Sequence, residues 1–169
     1  MTRRDLFHKW FVYALGLLPV WLLDAYILPR YPLFGVSPML LPSAVVAVSV
    51  LEGAYAGTGF GLAVGLLWEL AYPGGFGGLV VAMALVGMVT GGLSQYALSQ
   101  SLPGCLLCVA GVLVLLDGFQ VAGKLIANTA GLAELLQAAV PECLLSLAWA
   151  PAVYLLFRAV YRRVGWRLV

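Results

Sequence analysis

From Leu70 to Leu116 the chain runs 47 residues without a single Asp, Glu, Lys or Arg. A second uncharged stretch of 21 residues separates Arg30 from Glu52. One bilayer-crossing helix needs about 20 apolar residues, so the first stretch has room for two and the second for one. Composition closes off the alternatives. Residues are 63% apolar and 9% charged, against about 25% charged in a soluble domain, and the mean hydropathy is +1.03. No water-facing shell can be assembled from such a chain, which excludes a soluble enzyme, a nucleic-acid binder and a disordered polypeptide.

Breaks in the apolar runs at Pro, Gly and charge predict a single all-α membrane domain over residues 1–169, a bundle of six transmembrane helices. The expected spans are about 10–28, 38–52, 56–72, 77–98, 104–122 and 139–160. Helices two and three are short and are expected to tilt or thin the bilayer. Residues 123–138 suggest a short interfacial helix with Asn128-Thr129 at its N-cap. The N-terminal apolar stretch from Trp10 to Leu28 has no small-residue cleavage site and reads as a retained first helix rather than a signal peptide.

Basic residues orient the bundle. With six spans, Arg3, Arg4, Lys9, Arg158, Arg162, Arg163 and Arg167 share one side, and only Arg30 and Lys124 lie on the other. The positive-inside rule then places both termini in the cytoplasm. Trp10, Tyr55, Tyr96, Tyr161 and Trp166 fall near the inner interface, and Tyr26, Tyr31 and Tyr72 near the outer one.

The sharpest local pattern is a glycine ladder. Gly53, Gly57, Gly61 and Gly65 recur every four residues and lead into Glu69, with Gly87 and Gly91 as a matching stripe on helix four. Spacing of four keeps them along one helix face, and small residues let membrane helices approach closely. The stripe either packs helix three on helix four or turns in part toward a partner subunit. The acids form a second constellation. Asp24, Glu69, Asp117 and Glu142 all fall in the outer half, together with Arg30 and Lys124. They read either as interfacial acids reaching water and these cations, or as a polar vestibule for a ligand or partner segment.

Cys105 and Cys108 lie on one helix face without an accompanying histidine, a poor metal site. No metal or cofactor is expected. The cytoplasmic basic anchor Arg158, Arg162, Arg163 and Arg167 suits anionic lipid headgroups. With no nucleophile–base pair, nucleotide loop or soluble domain in view, the chain is expected not to be an enzyme.

Residues 38–98 resemble MreD, the small polytopic subunit of the bacterial cell-elongation machinery. The resemblance rests on Pro38 and Pro42 opening helix two, and on the run Gly57-x-x-Phe60-Gly61-x-x-x-Gly65-Leu66-Leu67-x-Glu69. A Gly-rich turn at 74–78 and Leu85-Val86-Gly87-x-x-x-Gly91 complete it. The family usually has Asp where Glu69 stands. The resemblance implies a non-enzymatic scaffold in the bacterial cytoplasmic membrane that binds an MreC-like bitopic protein. It also implies work beside the MreB filament, a RodA-type glycan polymerase and its transpeptidase. Under it, the ladder glycines and the outer charged rim would grip MreC, with membrane lipids as the other contact and no nucleic acid. A second family has the same size and span count: the substrate-binding S-components of energy-coupling-factor transporters. Their outer vestibule takes a vitamin or metal, a role the four acids would suit.

Overall fold

The computed structural model describes residues 3–28, 30, 38–71, 77–96, 102–126 and 132–165. All regular structure among them is helical: α1 (Arg3–Leu22), α2 (Leu41–Glu52), α3 (Ala54–Ala71), α4 (Gly78–Tyr96), α5 (Leu102–Ile126) and α6 (Leu132–Gly165). A π-helical turn, Leu23–Ile27, continues α1. Among the described residues, four segments are long and apolar enough to cross a membrane: His8–Ile27, Gly78–Gln95, Leu102–Leu125 and Ala139–Arg163. The chain is thus a helical, multi-pass membrane protein by length and composition.

Of the six expected spans, α2 and α3 fall short of a full-length apolar crossing. α2 has 12 residues, about 18 Å at about 1.5 Å per residue, well short of a core about 30 Å thick. α3 has 18 residues but dilutes its aliphatic side chains with four glycines and Glu69. Among the described residues, no separate interfacial helix appears at 123–138. Residues 123–126 finish α5 and 132–138 begin α6, while Asn128 and Thr129 lie outside the described residues.

Why α2 can be so short follows from where it sits. Every residue from Leu41 to Leu51 is buried, and α2 touches all five other helices. Its sequence, LPSAVVAVSVL, is apolar on all sides; such a helix has no face to offer water and belongs inside. Val45, Val46 and Val48 are fully enclosed. Around this rod the longer helices turn exposed flanks to the surroundings, with Phe11, Leu66, Leu85, Leu115 and Phe119 all exposed.

α3 and α4 form the most intimate pair, and the glycine ladder is the reason. A Cβ on Gly57 would come within 2.7 Å of the Gly87 carbonyl oxygen. On Gly61 it would sit 2.8 Å from the Met83 carbonyl carbon, and on Gly65 2.6 Å from Val80 Cα. From the other side, one on Gly91 would lie 2.6 Å from Ala54 Cα. The residue numbers run in opposite directions, so the helices are antiparallel and meet backbone to backbone. The stripe is therefore occluded inside the protein, and these glycines leave no surface for a partner. Gly53, between α2 and α3, adopts φ +93°, a conformation open to glycine at little cost. Two hydroxyls bond within their own helices: Ser49 donates to the Val45 carbonyl at 2.6 Å and Thr90 to the Val86 carbonyl at 2.6 Å.

Gly61→Ala should lower stability in detergent by about 1–3 kcal/mol, the usual penalty of overpacking, because the Met83 backbone cannot step aside. Gly59→Ala, which opens into empty space, should be neutral or slightly stabilising. Thermal unfolding of the two variants checks this; equal melting temperatures would contradict it.

Candidate functional site

A buried helix must find partners for the amides of its first turn. α2 cannot supply its own, because its N-cap is Leu40, which offers no side-chain cap. Pro42 lacks an N–H and removes one demand. The N-cap amide is met from a neighbouring helix, and the amide just before it from another. Leu40 N–H donates to Asp24 Oδ1 at 2.7 Å. Met39 N–H donates to Ser146 Oγ at 2.9 Å, and that hydroxyl donates in turn to the Glu142 carbonyl at 2.7 Å. Asp24 sits within the π-turn of α1, where Leu28 N–H reaches back five residues to the Leu23 carbonyl. Single π-turns frequently mark functional positions; here the turn carries the capping carboxylate, which is 8% exposed.

More charge gathers at this end of α2. Cys143 Sγ donates to Asp117 Oδ2 at 2.8 Å, and Asp117 is also 8% exposed. Glu142 lies within electrostatic reach of Asp117, Asp24 and Lys124. Asp24 thus sets one carboxylate at the positive end of the α2 dipole, a favourable arrangement. Of the six residues expected as an outer polar cluster, the structure brings these four together. Arg30 is exposed. Glu69 stands apart on α3, one step beyond Gly65 on the ladder face, its Oε1 buried without a hydrogen-bond partner among the described residues.

The opposite end of α2 carries a second latch. Lys9 Nζ donates to Glu52 Oε2 in an ion pair, and Tyr13 OH donates to Glu52 Oε1 at 2.8 Å. Tyr13 stacks on Phe157, with ring centroids 6.3 Å apart, and meets Phe60 edge-on at 6.4 Å. Polar contacts therefore tie α1 to both ends of α2. None of Lys9, Tyr13, Glu52 and Ser146 stood out as a site residue in the sequence. The one available signal was Glu52, an acid closing an otherwise uncharged helix.

The remaining sequence candidates are accounted for briefly. Cys105 and Cys108 are buried free thiols, while Cys143 is engaged by Asp117. Among the described residues no three His, Cys, Asp or Glu side chains converge as metal ligands. Arg158 is half-buried, Arg162 and Arg163 are exposed at the end of α6, and Arg167 lies outside the described residues.

These features define a helical membrane protein built around a short, fully enclosed helix capped by side chains of its neighbours. No protein-family model matches the chain, and no curated protein or solved structure matches it either.

Asp24→Leu would leave the Leu40 amide buried and unpaired, a loss of about 1–3 kcal/mol. Asp24→Asn keeps an acceptor and should lose less. Chemical or thermal unfolding in detergent orders the three proteins as wild type, Asn, Leu; a leucine variant as stable as wild type would refute the cap.

Proposed function

We propose that this chain is a non-enzymatic membrane scaffold of the bacterial cell-elongation complex, resembling MreD and binding an MreC-like bitopic partner. The supporting observation is the α2–α4 segment. The stretch that carries the resemblance, residues 38–98, supplies the enclosed helix and the glycine-packed hairpin around which the rest is arranged. Such a rigid unit suits a protein whose work is to hold others. The gripping surface differs from the first expectation, since the glycines face inward. In this reading the partner's membrane helix meets the outward flank of the hairpin, where Leu62 and Leu66 on α3 and Leu85 and Val89 on α4 are exposed. The protein would lie in the bacterial cytoplasmic membrane with both termini cytoplasmic, α2 and α3 completing six passes. MreB, a RodA-type polymerase and its transpeptidase would be indirect neighbours.

A second reading draws on a different observation, the convergence of Asp24, Asp117 and Glu142 at one end of α2. That grouping would suit an S-component that captures a cationic vitamin or a metal for an energy-coupling-factor transporter.

One co-expression experiment separates the two. With a bitopic protein of one membrane helix followed by coiled-coil and β-rich segments, the scaffold reading expects co-purification, lost in Leu66→Arg and kept in Glu142→Gln. The transporter reading expects no such complex, but a melting temperature raised by a small cationic ligand and a shift abolished by Glu142→Gln. A reporter fused after Val169 should score cytoplasmic; a periplasmic signal would contradict the six-pass arrangement.

A further inference from the structure

Glu69 is the one charged residue between Ala54 and Tyr96, and it stands at a border. Gly65, one turn earlier on the ladder face, is occluded by Val80 of α4. Leu62, Leu66 and Glu69 follow the spacing i, i+4, i+7, which is one helix face, and Leu62 and Leu66 are 43% and 54% exposed. Glu69 therefore lies along the edge where the ladder meets the outward flank of the hairpin. The residue is half-buried, and its Oε1 is buried with no hydrogen-bond partner.

Among the described residues no cation pairs with Glu69. Lys9 is bound to Glu52, which closes α2 just before α3 begins, at the end of α3 remote from Glu69. Tyr13, one turn from Lys9, is within electrostatic reach of Tyr161, so Arg158, Arg162 and Arg163 belong to that remote end as well. Lys124 stands near Glu142, and Arg30 is exposed. Residues 72–76, Tyr-Pro-Gly-Gly-Phe, hold no Lys or Arg. A buried carboxylate oxygen normally has a donor, and an ionisable group in a membrane bundle is costly unless matched. Position sharpens the demand. Glu69 occupies the last turn of α3, where helix carbonyls repel an anion and favour a cation, and no basic residue occupies that turn.

The surroundings select the kind of cation. Gly57 opposes Gly87, Gly61 opposes Met83 and Gly65 opposes Val80, so one further turn brings Glu69 level with the start of α4. A Cβ on Gly77 or Gly78 would meet nothing within 4 Å, which leaves room there for a long side chain. The apolar span of α4 begins at Gly78, so Glu69 sits at the boundary of the hydrocarbon. Lys and Arg at the ends of membrane helices place their charged heads at this depth and their stems along apolar surface. We propose that Glu69 receives a Lys or Arg from the non-cytoplasmic boundary of the bitopic partner's membrane helix, while the aliphatic part of that helix lies on Leu62 and Leu66. The inference rests on the scaffold reading above and names the polar contact that fixes the partner's depth and register.

A charge exchange in the co-expressed pair tests this, with the full chain and a bitopic protein of one membrane helix followed by coiled-coil and β-rich segments. Glu69→Gln, nearly the same shape, should lower retention of the partner about tenfold, the scale for losing a hydrogen bond to a charged group, at an unchanged melting temperature. Glu69→Lys should abolish retention. Replacing the partner's boundary Lys or Arg by Glu should abolish it with wild type and restore it with Glu69→Lys, a rescue that a merely misfolded variant could not give. Wild-type retention by Glu69→Gln, no rescue in the exchanged pair, or a partner without a basic residue at that boundary would overturn the proposal. Leu66→Arg separates the two levels. If it loses the partner while both Glu69 variants keep it, the scaffold reading stands and the Glu69 contact falls; if wild type retains no partner, both fall.

Discussion

The need to satisfy backbone amides at the start of α2 organises this molecule. A helix enclosed on every side has no water to bond its first turn, and a buried N–H without an acceptor costs about 1–3 kcal/mol. Asp24 of the π-turn following α1 accepts from the N-cap amide of Leu40, and Ser146 of α6 holds the Met39 amide just before it. Because these two contacts come from different helices, the entry to α2 is fixed only when α1 and α6 are both in place. Formation of the centre is thereby coupled to formation of the periphery.

The same logic explains why so few charged residues sit at depth and where they are. Asp24 and Asp117 are each engaged by a donor, an amide in one case and a thiol in the other. Glu52 accepts from both Lys9 and Tyr13. An ionisable group inside a bilayer is costly, and these are retained where they join two helices. Apolar packing between α1 and α2 is slight compared with that of the α3–α4 hairpin, so the polar latches at each end hold α1 in register. The hairpin needs no such help, since its glycines bring the two backbones together directly.

How much of this was legible in the sequence varies with the range of the interaction. The helices follow from uncharged runs and their Pro and Gly breaks, and their ends were displaced by a few residues because end positions depend on tertiary contacts. The register of α3 on α4 was implicit in Gly57, Gly61 and Gly65 facing Gly87 and Gly91, because spacing of four is a one-dimensional signal with a three-dimensional meaning. α2 was harder. Its shortness suggested a tilted span, whereas its lack of any polar face was the better clue to an enclosed position. The caps and latches were not legible: Asp24 to Leu40 and Met39 to Ser146 join residues 16 and 107 positions apart, and no local pattern announces such pairs. Asp24 was recognised as unusual, but as an interfacial acid or the wall of a vestibule rather than the acceptor for a helix start.

Backbone amide hydrogen exchange in detergent micelles addresses the central claim most directly. If α2 is an enclosed rod capped by its neighbours, amides 41–52 exchange more slowly than those of α4 and α5, and Asp24→Leu accelerates the first turn of α2 before any other helix. Exchange at 41–52 as fast as in the helices with exposed flanks, or uniform acceleration throughout the protein in that variant, would contradict the account.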